Sequence, residues 1–384
     1  MDSGMKTNDA LASNNEPKFG FGANWADYIE KKFSDERVAI SQEQLLGFLK
    51  LASLDGLTFL DVGCGSGLHS LAAWRAGAKW VYSFDYDQDS VVTTRKLHQM
   101  SGSPANWTVV QGSVLDEDFV QSLPKADIVY SWGVLHHTGN MWQAIKNAAG
   151  TCHNSSVFYV ALYSSDVYVN PPAEYWLKVK RAYNRAGTLK KRLMELRYAW
   201  RDLIMSRLVH GHNPFSYVRN YKQSRGMSYW HDVRDWLGGY PMEFAGNKET
   251  ESFARERLGM ELVHQRAGHG NTEYLFRPIG AKNYWDEVAA EPALEISGPF
   301  EPVQGHAWSV MLVETLSGRI NDPARFMLYE SGSPLGWPVS SAASIIKYGK
   351  GRYMVSDGRL VFSASDNFDP KASGKIYTCR PDFL

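Results

Sequence analysis

The sequence predicts an α/β fold: a parallel sheet with crossover helices, interrupted by a helical insertion and followed by a mostly β module. Three observations predict it. From residue 58 onward, short apolar runs alternate with helix-length segments, the order of a parallel sheet. The first run empties into a turn where Gly63, Gly65 and Gly67 alternate with larger residues. Beyond Pro278 helical periodicity fades, and short β-prone pieces punctuated by Gly, Pro, Asn and Asp take over.

Residues 1–17 read as a disordered leader, since they hold few large apolar groups to offset the entropy of ordering. An aromatic stretch with Phe19, Phe21, Trp25 and Tyr28 follows, and residues 41–51 read as an amphipathic helix with Leu45, Phe48 and Leu49 on its apolar face. Strands are expected at 58–62, 80–84, 107–111, 128–131 and 157–162, with helices at 66–76 and 90–100 between them. Residues 170–240 are helical in pattern and crowded with aromatic and basic side chains, so they read as an insertion after the fifth strand. Two closing strands, 261–266 and 272–277, flank a glycine-rich turn at 268–270 and complete a first domain spanning 18–278. The remainder, 281–384, reads as a β-sandwich-like domain with pieces at 308–315, 325–329, 352–355 and 360–364.

A chain of 384 residues is long for one core, which supports that division. With 44% hydrophobic and 21% charged residues it sits in the ordinary globular range, and its net charge of zero gives no overall push toward nucleic acid or a membrane surface. Cys64, Cys152 and Cys379 lie far apart with no CxxC pair, so no metal site or disulfide framework is indicated and a reducing, cytoplasmic setting fits. No run approaches the roughly 18 apolar residues of a membrane span.

The segment from Phe59 to Gly67 is a buried strand, a sharp turn and a helix start, which presses backbone toward a ligand and offers unpaired N–H groups to a carboxylate. About twenty residues on, a second strand ends at Asp85, where an acid can accept both hydroxyls of a ribose. Nicotinamide enzymes share that pairing, but their fingerprint is GxGxxG. Here the glycines fall as GxGxG, with Asp61 two residues ahead of the first.

This arrangement resembles the first motif of class I S-adenosylmethionine-dependent methyltransferases, and the likeness continues through Asp85, the 111–114 segment and the run from Asp127 to His137 with its Leu-His-His ending. The segments at 19–25 and 230–241 further resemble a bacterial branch of unspecified substrate. The resemblance implies a Rossmann-like fold and S-adenosylmethionine as cofactor. It would be held by Asp61, Gly63, Cys64, Gly65 and Gly67 at the turn, by Asp85 and Tyr86 after the second strand, and by Ser113 and Val114 at adenine. Ser131 and Trp132 would line it after the fourth strand, and Phe21 and Trp25 would cover it. Ser113 stands where many members carry an Asp, which leaves backbone groups of Val114 to serve. Cys64 reads as a small turn-filling residue rather than a nucleophile.

On the acceptor side, His136, His137 and His231 are candidates for a general base, with structural packing of the first two and a helix start at Trp230-His231-Asp232 as the competing explanations. Residues 174–236 hold fourteen Lys or Arg against five Asp or Glu, which reads either as a solvated helix face or as a surface for an anionic acceptor. The leading expectation is methyl transfer to an O or N atom of a small anionic or sugar-containing acceptor, such as a glycan precursor. RNA is the weaker version, since no RNA-binding module accompanies the charge. A noncatalytic cofactor-binding scaffold acting through its β domain, and a nicotinamide dehydrogenase, are the readings from other classes. The β domain is expected either to hold the acceptor or to mediate self-association.

Overall fold

The computed structural model describes residues 34–166, 168, 171–203, 218, 229–267, 271–286, 294–312, 327–335 and 342–380. The leader, the aromatic cover with Phe21 and Trp25, and the turn at 268–270 lie outside them. The chain begins with α1 (Asp35–Leu49), then alternates β1 (Thr58–Val62), α2 (Leu68–Arg75), β2 (Trp80–Asp85), α3 (Gln88–Met100), β3 (Trp107–Gln111), α4 (Glu117–Ser122) and β4 (Ala126–Trp132). A 3₁₀ turn (Leu135–His137), α5 (Met141–Ala149) and β5 (Cys152–Tyr163) follow.

Local chemistry sets these bounds. Helix α1 starts six residues before the apolar pattern suggests, because Ser34 caps it by accepting from Arg37 N and Asp35 and Glu36 occupy its first turn. Helix α2 starts two residues late, since Gly67 sits at a φ of 76°, outside the helical region. Asp87 and Asp116 cap α3 and α4 by accepting from Asp89 N and Phe119 N.

The insertion comprises α6 (Ala173–Asn184), α7 (Thr188–Trp200) and α8 (Tyr229–Gly238), which share a small core of Tyr183, Ala199, Tyr229, Val233 and Leu237. Buried beside it, Glu195 accepts from Tyr183 Oη and pairs with Arg192 and Arg234. An unanticipated helix, α9 (Asn247–Leu258), then leads into β6 (Met260–Ala267) and β7 (Asn271–Pro278).

The seven strands form one sheet in the order β3-β2-β1-β4-β5-β7-β6. The first five are parallel, and β7 runs antiparallel to both β5 and β6. Alternation along each strand supplies two cores. Phe59, Ile128, Val157 and Leu275 pack beneath α1, α2 and α3. Leu60, Val129, Phe158 and Phe276 pack beneath α5 and α9. Trp285 stacks on His264 of β6, so this packing runs past the end of β7. Strand order reverses between β1 and β4, which opens a crevice at their carboxyl ends.

The tail forms two four-stranded antiparallel sheets. One orders β13 (Tyr353–Ser356), β14 (Arg359–Phe362), β10 (Ala307–Met311) and β9 (Glu301–Gln304); the other orders β12 (Ser333–Pro334), β11 (Met327–Glu330), β15 (Tyr377–Arg380) and β8 (Leu294–Glu295). Both sheets contribute to one core, Leu360 and Phe362 from the first and Leu328 and Tyr377 from the second. A short helix, α10 (Ala342–Tyr348), has no counterpart in the sequence reading. Buried Arg352 donates from Nη2 to the carbonyl of Asp166 at 3.2 Å, tying this unit to the loop after β5.

Phe362 is fully buried, with ring centroids 4.8 Å from Tyr377 and 5.3 Å from Phe300. Phe362→Ala should destabilise the tail by about 3–5 kcal/mol. Urea unfolding followed by tryptophan fluorescence should show an earlier transition, and an unchanged midpoint would contradict the shared core.

Candidate functional site

The loop after β1 is held by its own backbone. Gly63 N and Cys64 N both donate to the carbonyl of Phe84 at the end of β2, and Gly67 N donates to Cys64 O at 2.8 Å. A Cβ on Gly63 would lie 2.3 Å from Val134, and one on Gly67 would lie 2.8 Å from Thr94. Both positions also have positive φ, so protein packing alone demands glycine there. Ligand approach is therefore not needed to explain them. Because so many loop donors are satisfied internally, the groups offered to an anion are Ser66 N and the N–H groups ahead of the first bond of α2, from Leu68 to Ser70.

Asp85 pins this loop to β2. Its Oδ2 accepts from Gly65 N and its Oδ1 from Asp87 N, each at 2.9 Å. Each oxygen keeps a lone pair for a further donor. Burial raises its pKa, partly offset by those two bonds. Asp61 lies deeper, at the end of a line of hydrogen bonds that crosses three strands. Trp107 Nε1 donates to Ser83 Oγ, Ser83 Oγ to Ser70 Oγ, and Ser70 Oγ to Asp61 Oδ2. Burial pushes the Asp61 carboxyl up to about 7, against the stabilising hydroxyl of Ser70 and with the nearby charge of Asp85 adding to the rise.

The other expected residues sit around the same crevice. Ser113 Oγ accepts from Leu115 N and shapes the turn after β3, while the carbonyl of buried Val114 accepts from Asn147. Ser131 is spent on β1, donating to Val62 O. Tyr86 is exposed, and so is much of Trp132. Cys64 is buried against Thr94, and burial holds its thiol well above the usual range, which disfavours the thiolate.

Trp132 Nε1 donates to Glu273 Oε1, which also accepts from Tyr159 Oη; Arg266 Nε pairs with Oε2 of the same carboxylate. Sequence reading missed Glu273. An acid two residues from Leu275, on the inward face of an apolar strand, was its available signal.

His136 and His137 lie side by side, ring centroids 4.4 Å apart, within reach of the charge of Lys180 on α6. His136 is fully buried, neither ring nitrogen has a hydrogen-bond partner, and its ring lies 4.1 Å from that of Tyr163. Burial drives its pKa well below the usual histidine value, helped by the charge of Lys180. His137 Nδ1 contacts Pro241 O at 2.7 Å, and burial brings its pKa to about 4. Tyr163, Tyr168, Trp236 and Phe244 continue the aromatic wall, and Lys180 Nζ lies 4.0 Å over the Trp236 ring. His231 falls within α8; its side chain is outside the described residues.

Residues 59–154 match the family model described as a methyltransferase domain. The tRNA U34 carboxymethyltransferase of Methylococcus capsulatus is 38% identical over 87 residues, which is 23% of this chain and 26% of that protein. The ribosomal protein L11 methyltransferase of Gloeobacter violaceus is 46% identical over 56 residues, 15% of this chain and 18% of that one. The chain thus spans about a quarter or less of these relatives' own length. Among solved structures, magnesium protoporphyrin IX methyltransferase from Synechocystis aligns over 67% of this chain and 93% of that one, at 13% identity and a TM-score of 0.39.

Asp61 has a measurable signature. Its folded pKa is raised from 3.8 to about 7, so the stability carried by the protonated carboxyl is full below pH 4 and is lost as pH rises through 7. Relative to Asp61→Asn, the ligand-free wild-type protein should lose roughly 2–4 kcal/mol between pH 5 and 8. Urea midpoints measured across that range test it, and a constant difference between the two proteins would refute the assignment.

Proposed function

We propose that the class I methyltransferase domain at residues 59–154 moves the methyl group of S-adenosylmethionine to an acceptor held beneath the helical insertion. The observation that carries this reading is the pinned glycine loop, with Asp85 beside it at the reversal of strand order. Donors at the start of α2 suit the cofactor's carboxylate, Asp61 its ammonium, Asp85 the ribose hydroxyls, and the Val114 N–H with the Ser113 turn its adenine. The bound sulfonium supplies an activated methyl group, and the protein's task is to hold a nucleophile in line with it.

The two histidines bear on the acceptor. Imidazoles held neutral by burial, one with a pKa near 4, are weak bases near neutrality, so they serve better as hydrogen-bonding partners than as proton acceptors. That favours an acceptor atom already nucleophilic, an amine nitrogen or an anionic oxygen, and Lys180 beside them suits a negative group. Small anionic molecules meet that description, as do sugars that carry an amine or an anionic group, and the aromatic wall suits a ring face. The likeness to a tRNA enzyme keeps RNA as a second reading. A reducing, cytoplasmic setting goes with three thiols that form no disulfide.

Calorimetry with S-adenosylhomocysteine and transfer of labelled methyl to cell extract test the two halves separately. The wild type should bind and transfer. Asp85→Asn should weaken binding by roughly 1.5–3 kcal/mol while leaving a folded protein. Binding without transfer would support the noncatalytic scaffold, and unchanged affinity in the Asn variant would remove Asp85 from the cofactor site.

A further inference from the structure

Helix α7 presents an apolar ridge that no described residue covers. Leu189, Leu193, Leu196 and Trp200 recur at intervals of four, three and four, which puts them in line along one side, and each is between 56% and 78% exposed. The opposite side is the packed one, where Ala199, Met194 and Tyr198 join the insertion core. Among the described residues, the ridge takes no part in the packing of this helix.

Its flanks carry one sign of charge. Lys190, Arg192, Arg197 and Arg201 are all exposed alongside the ridge, while the only acid of the helix, Glu195, is buried against Tyr183 and Arg234. A second copy of α7 laid along the ridge would set these cations against their equivalents, and like charges beside an apolar seam oppose pairing. A nucleic-acid backbone would answer the charges but leave the leucines wet. Leu and Trp between Lys and Arg suit the boundary between headgroups and acyl chains of an anionic bilayer.

We propose that α7 docks the protein onto anionic lipid surfaces, with its Leu-Trp ridge in the headgroup boundary and its cations on the acidic lipids. The proposed attachment is peripheral, and no described helix is long and apolar enough to cross a membrane. It is reversible and sensitive to salt, because a ridge of four side chains is short and much of the attraction is screened charge.

The test is flotation of the full-length protein with vesicles of phosphatidylcholine alone or containing about 30% phosphatidylserine. The wild type should bind the anionic vesicles at least about tenfold better, and should be released by roughly 0.5 M salt. Leu193→Gln with Leu196→Gln, both on the exposed side, should lower binding about tenfold, and Lys190→Glu severalfold, with unchanged thermal melting. S-adenosylhomocysteine affinity should be unchanged in both, so the result is independent of the proposed reaction. Equal binding to both vesicle types, no binding to either, or binding indifferent to the ridge variants overturns the proposal. A dimer seen by light scattering that the double Gln variant dissolves would instead assign the ridge to a second copy, and capture of the ridge by an acidic protein without lipid binding would likewise overturn it.

Discussion

The shape of the crevice depends on one carboxylate being held where two strand ends meet. Asp85 closes β2 and, through its two oxygens, fixes the amide of Gly65 in the loop of β1 and the amide of Asp87 at the start of α3. Three elements are thereby set by one side chain. The loop has no room for side chains there, since a Cβ on Gly63 or Gly67 would meet Val134 or Thr94. A loop fixed by so many of its own hydrogen bonds has little freedom left to lose when a ligand arrives.

The same constraint explains which features were legible in the sequence. Apolar runs bounded by glycine and polar residues located the parallel strands, most plainly the central β1, β4 and β5, where burial on both faces leaves a continuous apolar signature. The edges were less readable. The start of α1 depends on a cap at Ser34 rather than on periodicity, and α9 is so polar that its buried side reduces to Thr250 and Ala254. Short α10 carries too few residues for a helical period to show.

The candidate site divides in the same way. Residues close in sequence, such as those of the glycine loop, form a local pattern and can be read from it. Glu273 and Tyr163 come from strands that pair only in three dimensions, and Lys180 meets Trp236 across 56 residues of chain. Such partners leave little trace in a linear pattern beyond a charge on an apolar face. Asp61 is intermediate. Its place before the glycines was plain, but the hydroxyls of Ser70 and Ser83 that keep company with it look unremarked in sequence, since small polar residues are common in helices and strands alike.

The line from Trp107 to Asp61 has a fixed sense. An indole N–H can only donate and an ionised carboxylate can only accept, so each serine hydroxyl between them must point its hydrogen the same way. Protonating the acid at one end removes the reason for that orientation and lets the two serine hydroxyls turn, while the indole goes on donating. The fluorophore at the other end is wired to that event, which makes Trp107 an optical gauge, built into the third strand, of the charge at the floor of the crevice.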